Sequence, residues 1–203
     1  MYVPPAFAAN DDEAWAIVDD AGVGLFVVAG SDGLVSVLAP VLVSDDRSIL
    51  RAHVARANPF WRALEPGREA LVVFLAASAY VSPVLYPSRV DAPGVVPTWN
   101  YAAAEVRGAA RAVPDAAWLR DVVTGLTDHF EEGLNPRWWV DQAPSDYVER
   151  QLRAIVGIEL TVASVQGKSK LSQNRPDVDR DNVRDHFAEG SAAERIVAER
   201  MRR

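Results

Sequence analysis

The chain has 203 residues, 49% of them hydrophobic, a formal net charge of −7 and an isoelectric point near 5.0. That is enough apolar material for a good core in one domain, while the acidic balance argues against a surface that tracks a phosphate backbone. The absence of cysteine excludes disulfides, zinc clusters, iron–sulfur centres and thiol nucleophiles, and no leader-like or membrane-length apolar run is present, so the expectation is a soluble cytoplasmic protein.

Tyr2 to Phe7 is an aromatic–proline arm of the kind that docks on a neighbouring element. Asn10-Asp11-Asp12-Glu13 ahead of Trp15, Ile17 and Val18 predicts a short first helix, stopped by Gly22. Val23 to Ala29 and Leu34 to Val43, joined by Gly30-Ser31-Asp32-Gly33, predict a hairpin in which Pro40 requires an edge, a bulge or a strand end. Ser48 to Val54 reads as a third strand. Ala57-Asn58-Pro59-Phe60-Trp61 breaks it and opens a short helical turn to Leu64. Ala70 to Ala77, entered from Pro66-Gly67, is a buried strand.

Tyr80 to Tyr101 resists any regular reading. Its prolines rule out a long helix or a central strand, yet it keeps Tyr80, Tyr86, Trp99 and Tyr101, so it is expected to wall a pocket. Thr98 to Val113 reads as a long strand that Gly108 bends. Pro114-Asp115 opens a helix with Trp118, Val122, Leu126, His129 and Phe130 on one face. Ser145 to Val156 is a second helix ended by Gly157, and Ile158, Leu160 and Val162 alternate as a half-buried strand. Gly167 to Asn174 is a polar loop, and Pro176 begins a charged helical region to Arg203. About six strands in antiparallel-style connection, with helices inserted late, give an α+β, mainly β chain: a small β-barrel with peripheral helices. It reads as one domain over 1–203, with a helical insertion at 114–156 and a helical C-terminal region at 175–203.

Among the histidines, His129 is expected to pack at the core boundary and His186 to lie on a solvated face. His53 differs, because it ends a strand just before the Arg56-Ala57-Asn58-Pro59 break, where side chains point into a mouth; it is a candidate for a cofactor or substrate role. Lys168 to Arg175 offers cations, hydroxyls and amides that suit either a phosphate or carboxylate, or a solvated turn. Asp177, Asp179 and Asp181 imitate a calcium loop, but Asn182 and Ala188 stand where its glycine and closing glutamate belong, so they read as the first turn of a helix. Phosphate-loop, dinucleotide, HExxH and GxSxG motifs are absent.

Five blocks in order carry a family resemblance: Met1-Tyr2-Val3-Pro4, His53-Val54-Ala55-Arg56-Ala57-Asn58-Pro59, Ala79-Tyr80-Val81-Ser82-Pro83, Val96-Pro97-Thr98-Trp99-Asn100-Tyr101 and Lys170-Leu171-Ser172-Gln173-Asn174-Arg175. The chain resembles the PaiB family, whose members are labelled FMN-binding negative transcriptional regulators. The resemblance implies a split barrel of the flavin-binding, pyridoxamine-oxidase-like type, and a homodimer with its cofactor site at the subunit interface. Piperazate synthases are similar to this family, bind heme b in place of FMN, and close a nitrogen–nitrogen bond in an N-hydroxylated ornithine. By that likeness His53 corresponds to the axial ligand of the heme iron, and Lys170 to an acid or base near a small-molecule substrate; Lys170 or Tyr86 is expected to manage protons. Arg56, Asn58, Tyr80, Ser82, Trp99, Asn100, Ser172 and Gln173 complete the expected cofactor site.

The chain departs from the family pattern at Val37-Leu38-Ala39-Pro40, where Thr-His-Leu-Pro is frequent, at Val84-Leu85, where Ser-Trp is frequent, and at Ser169, where a tryptophan is frequent. The expectation is a heme-dependent enzyme that forms an N–N bond. The alternatives are a PaiB-type FMN-binding repressor, which lacks a DNA-reading helix pair and has the wrong sign of charge, and an FMN-dependent oxidoreductase. The last would hold its phosphate on loop cations and serines instead of using His53.

Overall fold

A computed structural model describes residues 1–64, 67–91 and 94–202; Pro66 of the expected Pro66-Gly67 break, Ala92 and Pro93 of the proline-rich stretch, and Arg203 lie outside them. The strands are β1 (Ala8–Ala9), β2 (Val23–Gly30), β3 (Gly33–Pro40), β4 (Leu42–Val43), β5 (Ile49–Ala55), β6 (Arg68–Val81), β7 (Thr98–Val113) and β8 (Ile155–Lys170). The helices are α1 (Asp11–Ala21), α2 (Ala116–Glu131), α3 (Ser145–Arg153), α4 (Asp177–Ala188) and α5 (Ala192–Arg200). The strands form one 8-stranded sheet in the order β3-β2-β6-β7-β8-β5-β4, with β1 added to β8. The chain resolves into two compact units. One holds Met1–Ala21, Phe74–Glu105 and Val165–Arg203; the other holds Gly22–Val73 and Val106–Ser164, so β6, β7 and β8 run through both.

In the Gly22–Val73 and Val106–Ser164 unit, β2 and β3 form the expected antiparallel hairpin, with register from Gly30↔Gly33 to Val23↔Pro40. The expected strand Leu34 to Val43 is divided, however. Pro40 ends β3, Val41 donates its N–H to the Gly22 carbonyl at 3.0 Å, and β4 pairs with β5 at the other end of the strand order. Proline cannot continue a ladder, which is why the division falls there. Leu50, Ala52 and Val54 of β5 are buried, and the alternate residues Ile49, Arg51 and His53 are half-buried.

Asp115 caps α2 by accepting the Trp118 N–H at 2.8 Å. The helix buries Leu119, Val122 and Leu126, while His129 and Phe130 are exposed, with ring centroids 4.9 Å apart. His129 is therefore not a boundary residue; of the expected face Val122 and Leu126 are buried and Trp118 is half-buried, and Leu119 is a further core residue. A second correction concerns Gly157. The α3 helix stops at Arg153, and Gly157 lies inside β8, where a Cβ would come within 2.1 Å of the Trp118 ring. Glycine is there because an indole packs on the strand. Gly108 of β7 is similar: a Cβ would stand 2.0 Å from the Thr161 carbonyl oxygen, so the need is close backbone approach.

In the other unit, Asn10 caps α1 reciprocally with Glu13, each side chain meeting the other's backbone N–H at 2.9 Å. The N-terminal arm docks as expected: a short 3-10 turn, Pro5–Phe7, leads into β1, which pairs Ala8↔Lys168 and Ala9↔Gly167. Gly167 and Lys168 are thus paired strand where a loop is expected, and β8 continues to Lys170. β6 likewise extends past Ala77 to Val81, and two 3-10 turns, Pro83–Leu85 and Pro87–Val90, occupy the stretch expected to be irregular. The C-terminal region is two helices, with Pro176 at the cap of α4 and Ser191 in a capping box at α5. They pack Val183, Phe187 and Val197 onto Val81, Tyr86 and Leu171.

Candidate functional site

His53 stands opposite Gly157 in the β5–β8 register, and Gly157 lies under the Trp118 ring. The indole is fixed by a second contact, since Trp118 Nε1 donates to Glu159 Oε2 at 3.1 Å. Glu159 also accepts from Arg111, at 2.9 Å from Nε and 2.6 Å from Nη2, and has Arg51 Nε at 3.8 Å. Sequence spacing alone does not bring these side chains together. His53 Nδ1 is buried and finds no hydrogen-bond partner among the described residues. Burial also lowers the His53 pKa below its ordinary 6.5, which keeps the imidazole neutral at physiological pH. A neutral imidazole is the form that ligates a metal.

Two neighbours expected at the same site do local structural work. Arg56 donates from Nε to the Arg153 carbonyl at 2.8 Å and from Nη2 to the Ile155 carbonyl at 2.9 Å. It thereby ties the end of β5 to the α3–β8 junction. Asn58 Oδ1 accepts the Phe60 N–H at 2.9 Å and caps the Pro59–Ala63 turn.

The remaining expected residues belong to the other compact unit. Lys170 Nζ donates to Thr98 Oγ1 and to the Trp99 carbonyl, both at 2.6 Å. Its pKa is lowered, first by burial and then by Lys168 and Arg175. Thr98 was not singled out by the sequence, although it sits in the Val-Pro-Thr-Trp-Asn block. Trp99 and Tyr80 meet edge to face, with centroids 6.0 Å apart, and both are about half exposed. Asn100 is fully buried; its Oδ1 accepts the Ser172 hydroxyl at 3.0 Å and its Nδ2 lies 3.6 Å from Met201 Sδ.

Ser172 has φ +66°, a left-handed conformation costly for a residue with a Cβ. The Asn100 bond and the Arg175 N–H on its carbonyl, at 2.9 Å, hold it there. Gln173 clasps the same turn, accepting from Leu171 N–H at 2.7 Å and donating to the Ser169 carbonyl at 2.6 Å. Ser82 accepts the Val84 N–H at 3.4 Å. Tyr86 is fully buried with no hydrogen-bond partner for its hydroxyl among the described residues, and the Arg175 guanidinium lies 4.7 Å from its ring centroid. Of the departures from the family pattern, Val84 is exposed and Leu85 packs on the Tyr86 cluster. Among the described residues, no group of three or more His, Asp or Glu side chains could hold a bare metal ion, and no helix is long and apolar enough to cross a membrane.

Residues 1–164 match the family described as "Putative FMN-binding domain". The chain belongs to this family. Within it, the PaiB likeness read from the five blocks is borne out by "Protease synthase and sporulation protein PAI 2" of Bacillus subtilis (strain 168). That relative is 32% identical over 186 residues, which are 90% of this chain and 87% of the relative. Among solved structures, the FAD and heme binding protein from Mycobacterium smegmatis superposes with a TM-score of 0.61 at 16% identity, covering 91% of this chain and 80% of that one. The flavocytochrome Anf3 from Azotobacter vinelandii gives a TM-score of 0.59 at 14% identity, covering 80% of this chain and 69% of that one. At such identities the likeness shows the fold alone: this FMN-binding-domain family member is an α+β, mainly β split barrel.

Proposed function

We propose that this protein binds heme through His53 and is an enzyme of small-molecule biosynthesis that forms an N–N bond in an N-hydroxylated diamino acid. The observation that carries the proposal is His53 itself: a neutral, half-buried imidazole whose Nδ1 meets no partner among the described residues. A histidine packed for stability alone normally has its buried nitrogen satisfied. The protein folds shared with this chain include ones named for heme and for flavin, which supports either cofactor.

Bound heme iron would supply a Lewis-acidic, redox-active centre for weakening an N–O bond. The overall conversion balances without an external reductant: the N–O bond breaks, the lone pair of the second amine forms the N–N bond, and the hydroxyl leaves as water. Lys170 is the proton-holding candidate, with Nζ already set by Thr98 and Trp99 and a lowered pKa that makes it a readier acid. His53 and Lys170 belong to different compact units. A homodimer in the cytoplasm is part of the proposal; the half-exposed Tyr80–Trp99 pair is apolar surface that a second copy would cover.

The family itself favours a second reading, an FMN-binding protein of the PaiB type. Whether it represses transcription is a separate matter, which the net charge of −7 argues against for direct contact with DNA. Absorption spectra after incubation with hemin and with FMN separate the two. A Soret band that changes position in His53→Ala supports heme ligation. Tight FMN retention with no Soret band, or a Soret band identical in His53→Ala, would overturn it.

A further inference from the structure

Beside α1, the end of β8, α4 and α5 lies a cavity of about 490 Å³ whose lining includes Arg180, Arg200 and Arg202. Its lining includes neither His53 nor Lys170, and of the expected cofactor-site residues it includes Gln173. Its size falls in the range of small-molecule sites, roughly 300–1,000 Å³. Its wall combines charge with apolar surface: Ala16, Leu171 and Met201 line it together with the guanidinium groups. All three arginines come from residues beyond the 1–164 span of the family domain, whereas Glu13 and Ala16 of the same wall lie within it.

The charge of the lining is cationic, three guanidiniums against the one carboxylate of Glu13. Glu13 is committed to the α1 cap, accepting the Asn10 N–H at 2.9 Å. Arg200 is nearly buried and paired with Asp20, so it is a fixed part of the wall. Arg180 is paired only at the surface, 3.1 Å from Asp177, a carboxylate that is 84% exposed. Such a pair is worth little and is easily exchanged for a better acceptor. Arg202 pairs with no carboxylate among the described residues. Two adaptable guanidiniums in the wall of a partly apolar hollow suit an oxyanion, which they can grip through paired N–H donors.

We infer that this cavity is a binding site for a small organic anion, a phosphate monoester with an apolar body. The phosphate lies between Arg180 and Arg202, and the apolar part lies on Ala16, Leu171 and Met201. In a chain of net charge −7, Arg180 and Arg202 are the cations of this wall that an anion can engage, with Arg200 held by Asp20.

Calorimetric titration of the full chain with phenylphosphate, with inorganic phosphate and with phenol as separate arms, tests this. The expected result is saturable one-to-one binding of phenylphosphate that weakens with added salt, weaker binding of inorganic phosphate, and none of phenol. Arg180→Ala/Arg202→Ala should weaken phenylphosphate by about tenfold or more while the thermal melt stays that of the wild type. Ala16→Phe, which fills the hollow and keeps every charge, should abolish the binding as well. No saturable phenylphosphate binding to the wild type, an unchanged affinity in either variant, or equal binding of phenol would overturn the assignment.

Discussion

Asp179 and Ser88 are joined by two hydrogen bonds: the Ser88 N–H donates to Asp179 Oδ1 at 2.9 Å and the Ser88 hydroxyl to Oδ2 at 2.6 Å. Asp179 is fully buried in the first turn of α4, so the carboxylate is a clasp that fastens the Pro87–Val90 turn to that helix. Asn182 adds to it by donating to the Leu85 carbonyl at 2.9 Å. Asp179→Ala leaves two donors without acceptors and should cost about 1–3 kcal/mol. Urea unfolding measures the loss, and limited proteolysis should show faster cleavage between residues 82 and 91. Wild-type stability and protection in the variant would show the clasp to be idle.

Gly157→Ala should be more harmful than an ordinary glycine replacement in a strand. The added Cβ meets the Trp118 ring at 2.1 Å, and the ring is anchored by Glu159. Overpacking of this kind costs about 1–3 kcal/mol. Because His53 faces Gly157 in register, a displaced indole should also alter the near-ultraviolet circular dichroism and, in hemin-loaded protein, the Soret region. An unaltered melt and spectrum would refute the packing argument.

His53 should make stability depend on pH in a definite direction. Its pKa in the folded chain is lowered by burial from the ordinary 6.5, so between the two values the unfolded chain binds more protons. Stability is therefore fully present above pH 6.5 and is lost as pH falls through the folded value. His53→Gln should flatten that part of the profile in denaturant titrations at graded pH. A slope of the opposite sign, or one identical in the variant, would contradict it.

Lys170→Ala removes the donor that spans Thr98 Oγ1 and the Trp99 carbonyl and should lower stability by about 1–3 kcal/mol. Lys170→Arg should retain most of the stability, because the guanidinium can still donate, but not the proton-transfer chemistry, because arginine does not release its proton. The informative result is the split: an arginine variant with a wild-type melt and lost turnover supports an acid–base role. Full turnover in Lys170→Arg would leave Lys170 a structural residue only.

The sequence was most informative where local chemistry is sufficient. The Asn10–Glu13 cap, the Gly30–Gly33 turn, the Asp115 cap and the alternation of Ile158, Leu160 and Val162 each specify an element through neighbours in the chain, and each element is present. It was least informative where the deciding partner is distant. Gly157 reads as a helix stop until the Trp118 ring is seen on it, and Gly167 and Lys168 read as a loop until β1 pairs with them. Buried Asp179 and Asn100 are invisible to patterning for the same reason, since their acceptors and donors come from other elements.

For this protein the residues alone determined the α+β class, the type and place of most elements, and the PaiB likeness. Those rest on periodicity, caps, turns and motif blocks, which are properties of short segments. The tertiary structure alone decided that His53 is half-buried opposite Gly157 with its Nδ1 unpartnered among the described residues, that the Lys170 to Arg175 segment is a hydrogen-bonded strand end and turn, and that three arginines line one cavity. Burial, strand register and the meeting of separated side chains are set by packing, and no window of the sequence contains them.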